Sequence, residues 1–297
     1  MEPSSDSRRA RDHGARPKSA FVFAGGGSLG AVRVGMMQAL AVHGIRADFV
    51  VGSSVGAMNC AFYAGTPTLE GTRQLARIWG SLRRRDVFPV SLSALFGFIW
   101  RRDFLISPGG IRKLVDDHLP FKNLEDAKMP IHIVATDMVS GGTVVLSEGS
   151  ASDAIAATTA IPGVFKPLRY RNCFLVDGAI SNNTPIKVAL DKGAERLIIL
   201  PTGSACALHA PPMGAVASAL HALTLLISRQ LTTELEYLHP TVEYHVVPPL
   251  CPLDGSPYDF SRTDEHIDRA MRNTETWIAG GGLDGNEIPS ALRPHKH

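Results

Sequence analysis

Short apolar runs alternate along this chain with longer stretches whose apolar positions recur every three or four residues. Residues 20–23 and 49–51 are apolar without interruption, as strands buried on both faces must be. Each passes straight into a glycine-rich turn and then into helical spacing. That spacing runs over 31–43 after the first turn, with Gly44 as its stop, and through Val55, Met58 and Phe62 after the second. Further on, 68–82 predicts a helix, 131–136 and 143–146 predict strands joined by a turn at Ser140-Gly141-Gly142, and 152–159 predicts a short helix ended by Ile161-Pro162-Gly163. Residues 173–176 form a short apolar segment, 187–192 close a helix at Gly193, and 196–200 read as a core strand. The last elements are a long helix over 213–238, a strand over 242–247 and a helix over 263–278 capped by Gly280-Gly281-Gly282. Strands alternating with helices predict a single α/β domain around a mostly parallel sheet, with no internal repeat and no linker dividing it.

Two apolar stretches bear on membranes. Residues 87–100, at about 14 positions, are too short for the roughly 20 that a spanning helix needs. They predict either a helix and loop covering the core or an interfacial patch. In the second case Phe88, Leu92, Phe96, Phe98 and Trp100 enter lipid while Arg83, Arg84, Arg85, Arg101 and Arg102 meet phosphates, so peripheral membrane contact runs through 87–102. Residues 215–227 are interrupted by His221 and ended by Arg229, which suits a core helix.

The first 18 residues are polar and basic (Arg8, Arg9, Arg11, Arg16, Lys18) and predict a disordered tail. The apolar run behind them is too short for a secretory signal, so the expected location is cytoplasmic. The folded domain is expected over 19–285, with 286–297 as a C-terminal tail.

Composition narrows the chemistry. With 297 residues, 44% hydrophobic and a net charge of +2, the chain has enough apolar residues for one sizeable core and no bias toward nucleic acid or acidic substrates. Cys60, Cys173, Cys206 and Cys251 are scattered without C-x-x-C spacing, as in a reducing compartment. The eleven histidines never fall at ligand spacing with acidic or cysteine partners, so neither metal nor cofactor is expected.

The candidate chemistry lies in the two turns. Gly25-Gly26-Gly27-Ser28-Leu29-Gly30 offers closely spaced backbone N–H groups for a developing negative charge. Gly52-Ser53-Ser54-Val55-Gly56 is a G-x-S-x-G elbow, in which the strand reverses into a helix so sharply that only glycines fit around the serine. A third element, Val176-Asp177-Gly178-Ala179, follows the apolar segment at 173–176.

In that order the three motifs resemble the patatin-like phospholipase family, marked by G-G-G-x-x-G, G-x-S-x-G and D-G-G or D-G-A. The stretches Ala160-Ile161-Pro162-Gly163-Val164-Phe165 and Asn182-Asn183-Thr184-Pro185 resemble its bacterial members. The resemblance, over about 20–238, implies a patatin-like three-layer sandwich and a Ser–Asp dyad acting on a lipid or ester substrate. Ser54 would be the nucleophile, Asp177 its base, Gly25, Gly26 and Gly27 the oxyanion hole, Gly30 the end of the glycine loop, Gly52 and Gly56 the frame of the elbow, and Gly178 and Ala179 the rest of the D-G-A motif. An alcohol needs such a base to lose its proton, and a poorly hydrated site makes aspartate basic enough. Many family members carry a basic residue just before the last glycine of the first motif, where this chain has Leu29; Arg33, one turn on, predicts a solvated helix face without a substrate role.

Three other readings compete. Gly25-x-Gly27-x-x-Gly30 after a strand fits a dinucleotide fingerprint, but the second strand ends in Gly52-Ser53-Ser54 with no acidic residue for the ribose, and Asp48 precedes it. A Ser-His-Asp hydrolase would draw on His209, His221, His239, His245 or His266, none of which sits in a distinctive motif. A non-catalytic scaffold that regulates or binds partners would keep the same motifs.

Overall fold

The structure is a computed structural model that describes residues 17–26, 29–83, 86, 109–202, 213–253 and 260–293. The expectations for the basic tail before residue 17, for the 87–102 patch, and for Gly27, Cys206 and His209 fall outside these.

Five parallel strands form the centre of an eight-stranded sheet: β1 (Ser19–Phe23), β2 (Phe49–Ser53), β3 (Ile131–Asp137), and, later in the chain, Arg196–Leu200 and Glu243–Val246. Three short strands join by antiparallel pairing: β4 (Thr143–Leu146) and β6 (Cys173–Val176) with β3, and β5 (Leu168–Tyr170) with β6. With Arg196–Leu200 as β7 and Glu243–Val246 as β8, hydrogen-bonded neighbours follow the path β5-β6-β3-β2-β1-β7-β8, and β4 pairs with β3 on the edge that β2 and β6 leave free.

The uninterrupted apolar runs follow from burial of both faces. In β1, Phe21 and Phe23 enter one core while Ala20 and Val22 enter the other; in β7, Ile198 and Leu200 face the first and Leu197 and Ile199 the second. The larger core is covered by α1 (Gly30–Val42), α2 (Val55–Gly65), α3 (Leu69–Ser81), α4 (Gly109–His118), α5 (Ala151–Thr158) and the C-terminal helix Thr263–Ala279. After the single turn α6 (Ala179–Asn182), α7 (Ile186–Asp191) and α8 (Ala215–Glu236) cover the smaller core, and Thr263–Ala279 is α9. The molecule is therefore a mixed α/β fold with a mostly parallel sheet between helices, as the alternation predicts. No helix of the described residues is long and apolar enough to cross a membrane.

Three features differ from expectation. The strand at 168–170 and helix α4 carry too few apolar residues for the pattern to show them; β5 is held by pairing with β6. Residues 286–293 stay against the domain: Asn286 accepts from Tyr244 N–H and donates to the Val242 carbonyl, and Ile288 and Leu292 pack on the smaller core. Arg33, expected on a solvated face, is fully buried (0% exposed) because α1 is covered on nearly every side.

Candidate active site

The register of β3 brings the two motif side chains together. β3 pairs with β4 along 133–136 on one edge and with β2 along 131–134 on the other. Thr136 pairs with both Thr143 of β4 and Val176 of β6, so β6 must share the β2 edge. Strand β2 climbs that edge until Ser53 stands opposite Val134, while β6, running the other way, descends until Val176 stands opposite Thr136. The two chains meet head-on, and the next residue of each is Ser54 and Asp177. Ser54 Oγ donates to Asp177 Oδ2 at 2.8 Å across 123 positions of sequence, with no imidazole between them. Both residues are buried (9% and 5% exposed) at the carboxyl ends of the parallel strands, where open α/β sheets place ligands.

Ser54 has φ 52 and ψ −133, a left-handed conformation that serine occupies only under constraint, at a cost on the order of 1–3 kcal/mol. The bracket that enforces it is the end of α5. Thr158 Oγ1 accepts from Ser54 N–H at 2.8 Å and itself donates to the Val134 carbonyl; the Thr158 carbonyl accepts from Gly178 N–H, and that of Ala160 from Asp177 N–H. On the far side, Thr136 Oγ1 donates to the Asp177 carbonyl at 2.8 Å. Two glycines make room: a Cβ on Gly56 would strike the Phe23 and Ala24 carbonyls, and one on Gly178 would strike the Val134 carbonyl. Replacing Thr158 by valine keeps the shape but orphans the Ser54 N–H. We expect a lower urea midpoint at unchanged m-value, equivalent to about 1–3 kcal/mol. A midpoint equal to wild type would mean that the N–H finds another acceptor.

The glycine loop is held from two sides. Gly25 N–H donates to both the backbone carbonyl and Oδ1 of Asn183, at 3.2 and 3.1 Å. That donor is engaged by Asn183 in this structure, whereas no described residue accepts from the N–H of Gly26. The Gly25 carbonyl accepts from Thr202 Oγ1 at 2.6 Å and from Arg33 Nη1 at 3.4 Å, and Arg33 Nη1 also reaches Thr202 Oγ1. Gly30 opens α1, its carbonyl accepting from Asn59 Nδ2, whose Oδ1 accepts from Trp79 Nε1. Gly52 precedes Ser53 in β2, and Ala179 N–H donates to Asp177 Oδ1 at 2.9 Å.

Burial sets the electrostatics. It raises the Asp177 carboxyl from 3.8 to about 6, against the opposing pull of the Ala179 N–H and the Ser54 hydroxyl. Helix α2 begins at Val55 and points its positive end at Ser54. Arg33, lowered by burial to about 9, stays charged at neutral pH.

Thr136, Thr158 and Thr202 leave no signal in the sequence, because isolated threonines carry no pattern. Asn183, within the Asn182–Pro185 stretch, and Arg33, expected on a solvated face, both bond the glycine loop. Two of the histidines weighed as triad members bond elsewhere: His239 with Thr241, His245 with Glu243 and the Gly285 carbonyl. Among the described residues no group of His, Cys, Asp or Glu is arranged to hold a metal.

The Patatin-like phospholipase family matches residues 21–190, more than half of the chain. Patatin-like phospholipase domain-containing protein 6 of Homo sapiens is 29% identical over 193 residues, which cover 62% of this chain and 13% of that protein. Lysophospholipase NTE1 of Scheffersomyces stipitis is 27% identical over 193 residues, covering 62% of this chain and 12% of that protein. The chain thus spans a small part of the length of the curated relatives it matches. Among solved structures, human GIVD cytosolic phospholipase A2 shares the fold, with a TM-score of 0.50 at 12% identity over 93% of this chain and 62% of that one. With the family match over more than half of its length, and a glycine loop, a strained elbow and a D-G-A turn following β1, β2 and β6, the chain belongs to the patatin-like phospholipase family.

Proposed function

We propose that this chain is a lipid acyl hydrolase working through Ser54 and Asp177. The observation that carries the reading is the 2.8 Å hydrogen bond from the Ser54 hydroxyl to a buried carboxylate whose basicity burial has raised. A serine becomes nucleophilic when a neighbouring base takes its proton in the transition state, and a carboxylate near 6 is ionised at neutral pH yet a better base than one in water.

In this reaction the ester carbonyl lies against the glycine loop and Ser54 Oγ attacks its carbon as the proton passes to Asp177 Oδ2. The carbonyl oxygen becomes an oxyanion held by loop amides and by the positive end of α2. The tetrahedral intermediate collapses, and the leaving alcohol or lysophospholipid takes the proton from Asp177. Water then attacks the acyl-serine with Asp177 again as base, and the fatty acid departs. The family's name and the lysophospholipase among the relatives support a lipid ester, phospholipid or lysophospholipid, as substrate.

Fatty-acid release from mixed phospholipid vesicles, beside hydrolysis of p-nitrophenyl acyl esters, tests this directly. Because the ionised carboxylate is the base, kcat/KM should fall as pH drops through about 6 and level off above it. No release from any acyl ester, or a rate independent of pH across that range, would overturn the proposal.

A further inference from the structure

Among the described residues Arg33 is a buried cation without an acidic partner: it is fully buried, and it donates to one carbonyl and one hydroxyl. Its Nε and remaining Nη have no hydrogen-bond partner among the described residues. Isolated buried charge is costly, and apolar replacement of buried ionic groups is often neutral or stabilising. Such a group persists where it does something other than hold the fold together.

Its position beneath the glycine loop indicates what. In a trans peptide the C=O and the following N–H point to opposite sides of the chain. Thr202 Oγ1 and Arg33 Nη1 both donate to the Gly25 carbonyl and so fix which way that peptide plane faces. The threonine comes so close that any side chain on Gly26 would collide with it. A Cβ on Gly25 would lie 3.1 Å from the Cβ of Ser54, so this peptide borders the nucleophile. The N–H of Gly26 is then turned away from Arg33 and Thr202 and has no acceptor among the described residues.

We propose that Arg33 is a positioning residue which, together with Thr202, locks the Gly25–Gly26 peptide so that the Gly26 N–H serves as an oxyanion donor. The guanidinium orients that peptide and polarises it, strengthening the donor at the moment charge develops on the substrate oxygen. Arg33 touches no substrate. The assignment rests on the hydrolase reading above and adds to it the source of the oxyanion donor.

The test compares Arg33→Met, Arg33→Lys and Thr202→Val in the full chain. For Arg33→Met the expected result is a kcat on p-nitrophenyl esters roughly 10²–10³-fold lower, a KM within about twofold of wild type, and no loss of melting temperature. Arg33→Lys, which keeps the charge, should recover about tenfold of that loss, and Thr202→Val should lower kcat about tenfold at unchanged KM. A folded Arg33→Met with wild-type kcat, or with activity reduced only in proportion to its folded fraction, would overturn the proposal. Should that variant not fold, Thr202→Val with unchanged kcat does the same. If wild type itself neither hydrolyses esters nor takes a fluorophosphonate, the hydrolase reading fails instead. The positioning role is then read from the Gly26 amide, whose hydrogen exchange should be faster in Arg33→Met and whose unchanged exchange would refute it.

Discussion

Ser54→Ala should reduce p-nitrophenyl ester hydrolysis by about 10⁴-fold or more and abolish covalent labelling by a fluorophosphonate, with the far-UV spectrum unchanged. Removing Oγ takes away the atom that forms the acyl bond, and nothing else in the bracket can supply it. Thr158 Oγ1 accepts from Ser54 N–H and donates to the Val134 carbonyl, which spends its proton on the fold. Alanine can take up the same strained backbone at φ 52, since the bracket around it is made by backbone groups and by Thr158. The structural cost is one hydrogen bond to Asp177, about 1 kcal/mol, so the loss of rate cannot be mistaken for unfolding. Ser53 provides the control: its Oγ is buried beside Gly178 and has no hydrogen-bond partner among the described residues, so Ser53→Ala should be labelled like wild type. Labelling that survives Ser54→Ala and disappears in Ser53→Ala would move the nucleophile by one residue and break the proposed geometry.

What made the fold legible was burial on two faces. Uninterrupted apolar runs such as 20–23 and 197–200 are as short as buried central strands, and the glycines after the first mark its exit. The order of three motifs also named the residues that now lie 2.8 Å apart. Register was not legible, because nothing in the short segment 173–176 says that it shares an edge with β2; Thr136, pairing with both Thr143 and Val176, decides that. Burial of Arg33 escapes the sequence for a related reason. A charged side chain one turn into a helix usually reaches solvent, and only the packing of α1 against α3 and α9 encloses it. Asn183 and the bracketing threonines act through single hydrogen bonds, which leave no periodic trace in a sequence.

Asp177→Asn should lower kcat by roughly 10³–10⁴-fold while making the protein more stable at alkaline pH. Asparagine fills the same space, but its amide can no longer take the Ser54 proton. The stability arm follows from the direction of the shift. Burial lifts the Asp177 carboxyl from 3.8 to about 6, so the folded protein holds that proton more tightly than the unfolded chain does. The stabilisation from the protonated form is fully present below about 3.8 and is lost as pH rises through about 6. Above that, the ionised carboxylate costs on the order of 3 kcal/mol relative to a neutral group of the same shape. The variant never ionises and is spared that cost, so its melting temperature should exceed that of wild type by several degrees near pH 8 and by little near pH 4. Equal melting temperatures at both pH values, together with retained hydrolysis, would mean that this carboxylate is neither desolvated nor the base. A gain in stability with loss of turnover would instead identify the buried charge as one kept for reaction rather than for folding.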